Sequence, residues 1–429
     1  MAGSLRSNRG LATICAFVVV LGTWNVIHYP PGLGYDAFHH QAYADGLVPG
    51  GQLPHGTGEY YTPPGYYAVA GSADWLVRKL GVSVYDSYRA GMAVNVLFLL
   101  GTVLLVWWIA RELWPGRERL AIGAAAFVAL VPVTVRMEAM FHPAATALFL
   151  CTLALWFCVR TFADRRFVIA LGVALGLAQL VLAAALWAVA ATAIALAAGR
   201  RWRSLAIALA FAALIPMPWY VHQQLTYSGL APFPRPATPQ ARAGGLESGK
   251  PKPLFERRPW RFYVDPGLPD VITHPYTYQH HFRNLALPTT YAELWGDYFG
   301  VWAWKAGTPP GVPSAGARRE LVVQSLVGIL PTLLAVAGWV AFVHAARRRP
   351  PRLALALLPL LGLIGYLYFI VAYPTPDGDV LKASYMLTTT AGWALGFGYA
   401  LDRLRGRAWL FVAPLLVVCA VADLPFLVY

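Results

Sequence analysis

Apolar residues in this chain run in blocks too long for a soluble core, and the polar residues gather between the blocks. A lipid core gives the backbone no hydrogen-bond partner, so a block of about 17–25 apolar residues is expected to cross as a helix. Eleven such segments are read, centred on 11–27, 90–110, 120–135, 143–160, 167–181, 183–198, 204–221, 322–344, 353–372, 384–401 and 408–427. The first follows Arg6 and Arg9, as a signal peptide would. Gly22-Thr23-Trp24-Asn25 offers no small-x-small cleavage site, so the segment is expected to stay as an anchor. The uncharged run 167–198 needs its own argument. One helix of that length would measure about 48 Å against a core of about 30 Å. Arg165 and Arg166 precede it, and Arg200, Arg201 and Arg203 follow it. With both flanks on one side, the run is expected to fold back as two short helices meeting near Leu180–Ala184.

Charge then orients the segments. With the N-terminus in the cytoplasm, 18 of the 34 basic residues fall in the inner stretches, five in the first and the two short outer loops, and 11 in the outer segment 222–320. Only four of the 20 acids, Glu112, Glu118, Asp164 and Asp402, fall inside. This is the bias the positive-inside rule describes. The expected fold is an all-α polytopic membrane protein of about 11 transmembrane helices. Two large outer segments, 28–89 and 222–320, are expected to carry short interfacial helices. The expected organisation is a transmembrane core over 1–221, the outer segment 222–320, and C-terminal helices over 321–429.

Composition agrees. Apolar residues make up 58% and charged residues 13%, about half the charged share of a soluble protein. A net charge of +14 could suit a nucleic-acid binder, but here the basic residues punctuate long apolar runs rather than cluster. Cys15, Cys151, Cys158 and Cys419 all lie in apolar stretches, which argues against a disulfide framework or a zinc site. No repeat of fixed period is found, which disfavours an inverted-repeat transporter. Five of the basic residues are lysines. That arginine bias points to a GC-rich bacterium, and the charge asymmetry places the polar residues on the outer face, so a multi-pass protein of the bacterial inner membrane is expected.

The first outer segment holds the chemistry. It reads Gly34-Tyr35-Asp36-Ala37-Phe38-His39-His40-Gln41-Ala42-Tyr43, then Glu59-Tyr60-Tyr61-Thr62-Pro63-Pro64-Gly65-Tyr66-Tyr67. Asp36, at the membrane surface, can take a proton from a hydroxyl acceptor. His39 and His40 can hydrogen-bond an anionic leaving group or hold a metal. Tyr60, Tyr61 and Tyr66 offer flat faces with polar tips, suited to a sugar or to an aromatic belt. A solvated turn is the plain alternative for Asp36.

This segment resembles the first outer loop of the C-type (GT-C) glycosyltransferase superfamily, including the protein mannosyltransferase and aminoarabinose transferase groups. Asp36 matches that superfamily's acid after the first crossing, and Thr62-Pro63-Pro64-Gly65-Tyr66-Tyr67 matches its aromatic-Pro-Pro-x-Tyr-Tyr motif. The order of spans also fits; the resemblance covers about 11–221, weakens across 222–320 and returns at 374–387. The resemblance implies an integral-membrane enzyme using polyprenyl-phosphate sugars, with Asp36 as base or metal ligand. It also implies Lys382 on the donor phosphate with Tyr385 beside it; a lysine snorkelling at a helix end is the plain alternative.

Two departures bear on this. Relatives pair their acid with a second one, but here Asp36 is followed by Ala37, leaving Glu59, Asp45 or Glu138 to supply it. In the second outer loop, Arg136-Met137-Glu138-Ala139-Met140-Phe141-His142-Pro143, the spacing of Glu138 and His142 suits one helical face. Equally, His142 and Pro143 can simply open a helix. Glu59, Glu138 and His142 are the residues for a second acid or a metal, and involvement of a divalent cation is left open.

Arg136 and the histidines are expected to help Lys382 with the phosphate. The aromatic stretch 276–304, with Tyr276, Tyr278, His280, His281, Arg283 and Trp304, suits an acceptor surface or a helix lying on the membrane. Asp377-Gly378-Asp379 reads as a turn. No Gly-rich phosphate loop, nucleophile elbow or zinc-protease motif is present in the sequence. The expected function is polyprenyl-phosphate-sugar-dependent glycosyl transfer, of a hexose or pentose, to a glycan, lipid or protein acceptor. The alternatives are a glycan ligase using a polyprenyl-diphosphate donor, and a non-catalytic lipid or solute transporter. A transporter needs ionisable residues within its spans, and only boundary residues such as Arg136 and Asp423 are near them.

Overall fold

A helix lies in each of the eleven apolar segments of the computed structural model, which describes residues 2–56, 58–227, 259–276, 285–302, 314–372, 381–404 and 406–424. Tyr278, His280, His281, Arg283, Trp304, most of 230–259 and the Asp377-Gly378-Asp379 turn lie outside the described residues. In chain order the helices begin with α1 (Ala2–His28). The first outer segment carries α2 (Ala37–Leu47) and α3 (Gly65–Lys79). Then come α4 (Val84–Leu113), α5 (Glu118–Leu130), α6 (Pro132–Ala139), α7 (Ala144–Ala163), α8 (Phe167–Val181), α9 (Leu186–Ala198), α10 (Trp202–Leu214) and α11 (Met217–Tyr227). The second outer segment carries α12 (Trp260–Val264), α13 (Asp270–Thr273) and α14 (Ala286–Trp295). The chain continues through α15 (Ala315–Val327), α16 (Ile329–Ala346), α17 (Pro350–Ala372), a 3₁₀ stretch Ala383–Thr389, α18 (Thr390–Leu401) and α19 (Val412–Ala422). No strand occurs among the described residues.

Length and hydropathy alone qualify fewer crossings than the eleven expected. Five helices pass, Arg9–His28, Val84–Leu113, Ala144–Ala163, Ala315–Ala346 and Pro350–Val371, or seven if each bent pair counts as one. Three shorter apolar helices, Phe167–Val181, Ala183–Ala198 and Ala408–Ala422, fall below that length. The bends have local causes. Pro132 opens α6 after an extended Val131, and α5–α6 bends by 53°. Pro216 precedes α11, and α10–α11 bends by 49°. A proline lacks the N–H that an unbroken helix needs and crowds the preceding turn.

The run 167–198 does break as expected. Leu182 is extended at φ −155°, ψ 132°, and a 3₁₀ turn Ala183–Ala185 leads into α9. Gly65, the first residue of α3, packs on this break. A Cβ there would sit 2.6 Å from the Leu180 carbonyl oxygen, backbone that cannot swing aside. Gly65→Ala is therefore expected to cost about 1–3 kcal/mol, read as a lower thermal midpoint in detergent. An unchanged midpoint would mean the break yields.

Small residues set the helix packing elsewhere too, as they do where lipid replaces water as the competitor. The glycine face of α18 meets α16 at Gly338 and Gly396, and meets α5 where Gly398 approaches the Leu120 carbonyl. Helix α4 is the hub, touching α1, α3, α5 and α7. Ser83 caps it, accepting from the Asp86 amide at 3.1 Å. Buried Asn95 on α4 is fully used. Its Nδ2 donates to the carbonyls of Met140 (3.1 Å) and His142 (2.9 Å), and its Oδ1 accepts from Thr146 (2.9 Å). It thus ties the second outer loop to the bundle.

The described part of the aromatic stretch, 285–302, packs on the helical body. Trp295 on α14 is fully buried and donates to Thr332 Oγ1 at 2.7 Å. Trp302 stacks on Tyr29 at 4.3 Å.

Candidate active site

Asp36 sits between α1 and α2 in a left-handed conformation, φ 52° and ψ 23°. Apart from glycine, aspartate and asparagine are the residues that enter this region at least cost. Such strain, when the surroundings hold it, is a pointer to function. Asp36 occupies the N-cap position of α2, yet its carboxylate makes no cap hydrogen bond; only its carbonyl is used, by the amides of His39 and His40. The exposed carboxylate instead lines a cavity of about 560 Å³.

That cavity gathers residues from distant parts of the chain. Its polar wall holds Asp36, His40, Glu59, His142, Lys382 and Tyr385, with Tyr61 and Thr62. Its apolar wall comes from the α8–α9 break and α17, including Leu182, Leu186, Trp187, Tyr368 and Phe369. Leu186 and Tyr368 are also surface-exposed, at 39% and 45%, so this wall reaches the outer surface of the helical bundle.

Each polar group is held. Lys382 is only 5% exposed, with Nζ 4.5 Å from the Tyr35 ring centroid and 5.9 Å from that of Phe299. Cation–π contacts of this kind are stronger once desolvated. The snorkelling alternative does not describe a lysine so covered. Tyr35 precedes Asp36, so the ring under the cation is chained to the carboxylate. Glu59 is buried, and its carboxylate accepts from Thr62 Oγ1 at 2.7 Å and Tyr61 Oη at 3.1 Å. Burial first, then the Asp36 charge, pushes its carboxyl above the usual range.

His40 Nδ1 and Tyr67 Oη are hydrogen-bonded at 2.7 Å, and the His40 and His142 rings meet edge to face at 4.9 Å. His142 Nδ1 accepts from the Ala144 amide at 3.2 Å. Burial drives the His40 imidazole down to about 4, and drives His142 down too. Both are neutral at pH 7. The sign of the pH effect follows. An unfolded His40, near 6.5, binds a proton that the folded one refuses. Its contribution to stability is therefore complete above about 6.5 and drains away as pH falls towards about 4, by at most about 3 kcal/mol. Thermal midpoints should drop across that window, and His40→Gln should flatten the drop.

Other expected site residues lie elsewhere. Arg136 does not line the cavity. It is buried, with Nη1 3.2 Å from Asp423 Oδ1 and Nη2 donating to the Glu293 carbonyl at 2.6 Å. The two boundary ionisable residues thus pair with each other, as buried charges tend to. Glu138 and His142 do not share a helical face. Helix α6 ends at Ala139, Met140 is extended, and Pro143 caps α7, so His142 opens a new helix. Glu138 is buried beside Gly22 of α1, away from the cavity lining. His39 is exposed and lies against Gly58. Tyr60 packs on Tyr227, with ring centroids 4.8 Å apart, and Tyr66 bonds to Asn95; neither lines the cavity. Sequence reasoning placed Tyr67 in the motif but not against His40, and it passed over Trp187, which had no signal within its apolar run.

The sequence leaves a divalent metal ion open. Among the described residues no group of three or more His, Cys, Asp and Glu side chains is placed to hold one. No step below is routed through a metal.

No family model and no curated protein matches the chain. Solved structures do. ArnT from Cupriavidus metallidurans, bound to undecaprenyl phosphate, superposes with a TM-score of 0.54 at 16% identity, over 94% of this chain and 61% of that one. The Archaeoglobus fulgidus oligosaccharyltransferase, in complex with Zn and sulfate, gives 0.55 at 14% identity, over 96% and 53%. The archaeal oligosaccharyltransferase AglB from the same organism, with an inhibitory peptide and a dolichol-phosphate, gives 0.55 at 14%, over 98% and 56%. The chain thus spans less than two thirds of the length of each. Across nearly its whole length, it has the membrane-helical fold of the C-type (GT-C) glycosyltransferases.

Proposed function

We propose that this protein is a glycosyltransferase that moves a sugar from a polyprenyl-phosphate donor to an acceptor hydroxyl at the outer face of a bacterial inner membrane. One observation carries the reading. A single cavity joins a carboxylate, Asp36, and a sheltered cation, Lys382, to an apolar aromatic wall that reaches the bundle surface. A lipid-linked sugar phosphate needs those three things together: a base for the acceptor, a charge for the phosphate, and a dry face for the lipid. The solved structures of similar fold hold undecaprenyl phosphate or dolichol-phosphate, which supports the donor class.

In this reading the donor enters laterally past Trp187 and Tyr368. Lys382 holds the phosphate, and the neutral His40 and His142 donate ring N–H hydrogen bonds to its oxygens. Asp36 takes the acceptor O–H proton. The acceptor oxygen bonds to the anomeric carbon as the carbon–phosphate oxygen bond breaks, and polyprenyl phosphate leaves with its charge stabilised by Lys382. Single displacement inverts the anomeric carbon, an inference from the resemblance.

Charge favours a monophosphate over a diphosphate donor. A phosphodiester carries one negative charge, which Lys382 matches. Arg136, the second cation expected to help, is engaged by Asp423. The test is transfer by membranes containing the protein from a panel of radiolabelled polyprenyl-phosphate and polyprenyl-diphosphate sugars, with native acceptor extracts. Transfer from a monophosphate donor is expected. Transfer from diphosphate donors alone would point to the ligase, and none from any donor to a transporter.

A further inference from the structure

Glu59, Tyr61 and Thr62 enter the cavity wall from a stretch with no regular structure of its own. Between α2 and α3 the chain passes Gly51, Gly56 and Gly58, all at positive φ, and no helix occurs among the described residues of 48–64. Such a stretch is held by tertiary contacts or not at all. One set of its contacts comes from the last turn of α11. Tyr227 Oη lies 3.0 Å from His55 Nδ1, accepts from the Gly56 amide at 3.1 Å, and lies 3.4 Å from the Pro54 carbonyl. Its ring packs on Tyr60. One turn earlier, buried Gln223 donates to the Tyr60 carbonyl at 2.9 Å. Gln223 and Tyr227 are four residues apart, so one helix face presents both.

We infer that Gln223 and Tyr227 are positioning residues, a latch that fixes residues 54–56 and Tyr60 and through them sets the Glu59 carboxyl in the cavity wall. The inference rests on the proposed transfer reaction. Neither residue lines the cavity, so their effect runs through the loop. Tyr227 grips the loop before Glu59 and Gln223 grips Tyr60 just after it, leaving the acid between two fixed points. Small misplacements of site groups are costly because reacting groups must meet in a narrow geometry.

The test uses the full-length protein with Tyr227→Phe, which keeps the ring and loses the hydroxyl, and Gln223→Met, which keeps the volume and loses the donor. Each is expected to lower kcat/KM for transfer about tenfold. Backbone hydrogen exchange should quicken at 54–62 but not in α2 or α3. Combined with Glu59→Gln, each should add little to that variant's own loss, because both act through one group. Full additivity would overturn the inference, since a merely structural role predicts it. Unchanged exchange at 54–62, or quicker exchange with unchanged transfer, would overturn it as well. If the wild type transfers from no donor, the reaction reading fails by itself. Exchange then decides the latch: faster exchange in both variants supports it, and unchanged exchange ends it.

Discussion

Asp36→Asn is expected to abolish transfer, lowering the rate by about 10²–10⁴-fold, while the protein still folds and inserts. The substitution suits the site for a conformational reason. Position 36 holds φ 52°, and asparagine tolerates that region about as well as aspartate does. The carboxylate makes no cap hydrogen bond to α2, so replacing it removes no helix cap. What is lost is the ability to take a proton. Helix content and thermal midpoint serve as controls, and transfer from whichever donor the panel identifies is the readout. Transfer persisting above about a tenth of the wild-type rate would remove Asp36 from the role of base.

Lys382→Met is expected to weaken the handling of the donor by about 2–4 kcal/mol, about 30- to 1,000-fold in kcat/KM. Methionine keeps the unbranched stem over Tyr35 and Phe299 and deletes only the charge. The loss is large because Lys382 is sheltered, where a charge contact is poorly replaced by water. Lys382→Arg should recover part of it, since charge is restored but a planar fork replaces a point charge. The loss should grade with the donor's anionic group, appearing for phosphate-linked sugars and vanishing for a neutral analogue's binding. A variant with unchanged kcat/KM would mean that the phosphate is held elsewhere.

Much of this was legible in the sequence. Eleven apolar segments each became helix, and the fold-back within 167–198 broke at Leu182, inside the stretch the length argument pointed to. Asp36, His40, Glu59, Tyr61, His142, Lys382 and Tyr385 were picked out by residue type, by motif and by resemblance, and all line one cavity. Residue type could not say which charges neutralise each other. Arg136 and Asp423 lie 287 residues apart yet form one buried ion pair, so a residue expected on the phosphate turned out to be engaged. Glu138 and His142 had the spacing of a helical face, but Met140 and Pro143 interrupt the helix between and beside them.

The sequence by itself determined that the chain is built of apolar helices, that the run 167–198 breaks in two, and which residue types are present to do chemistry. Those properties are local. Lipid imposes helix on any long apolar run, and proline or charged flanks end it wherever the chain lies. Only the tertiary structure decided which of those residues meet. Placing Lys382 over the ring of Tyr35, beside Asp36, depends on α18 packing its glycine face against α5 and α16 and on α4 gathering its neighbours. That outcome belongs to the close packing of many helices at once, and no window of sequence contains it.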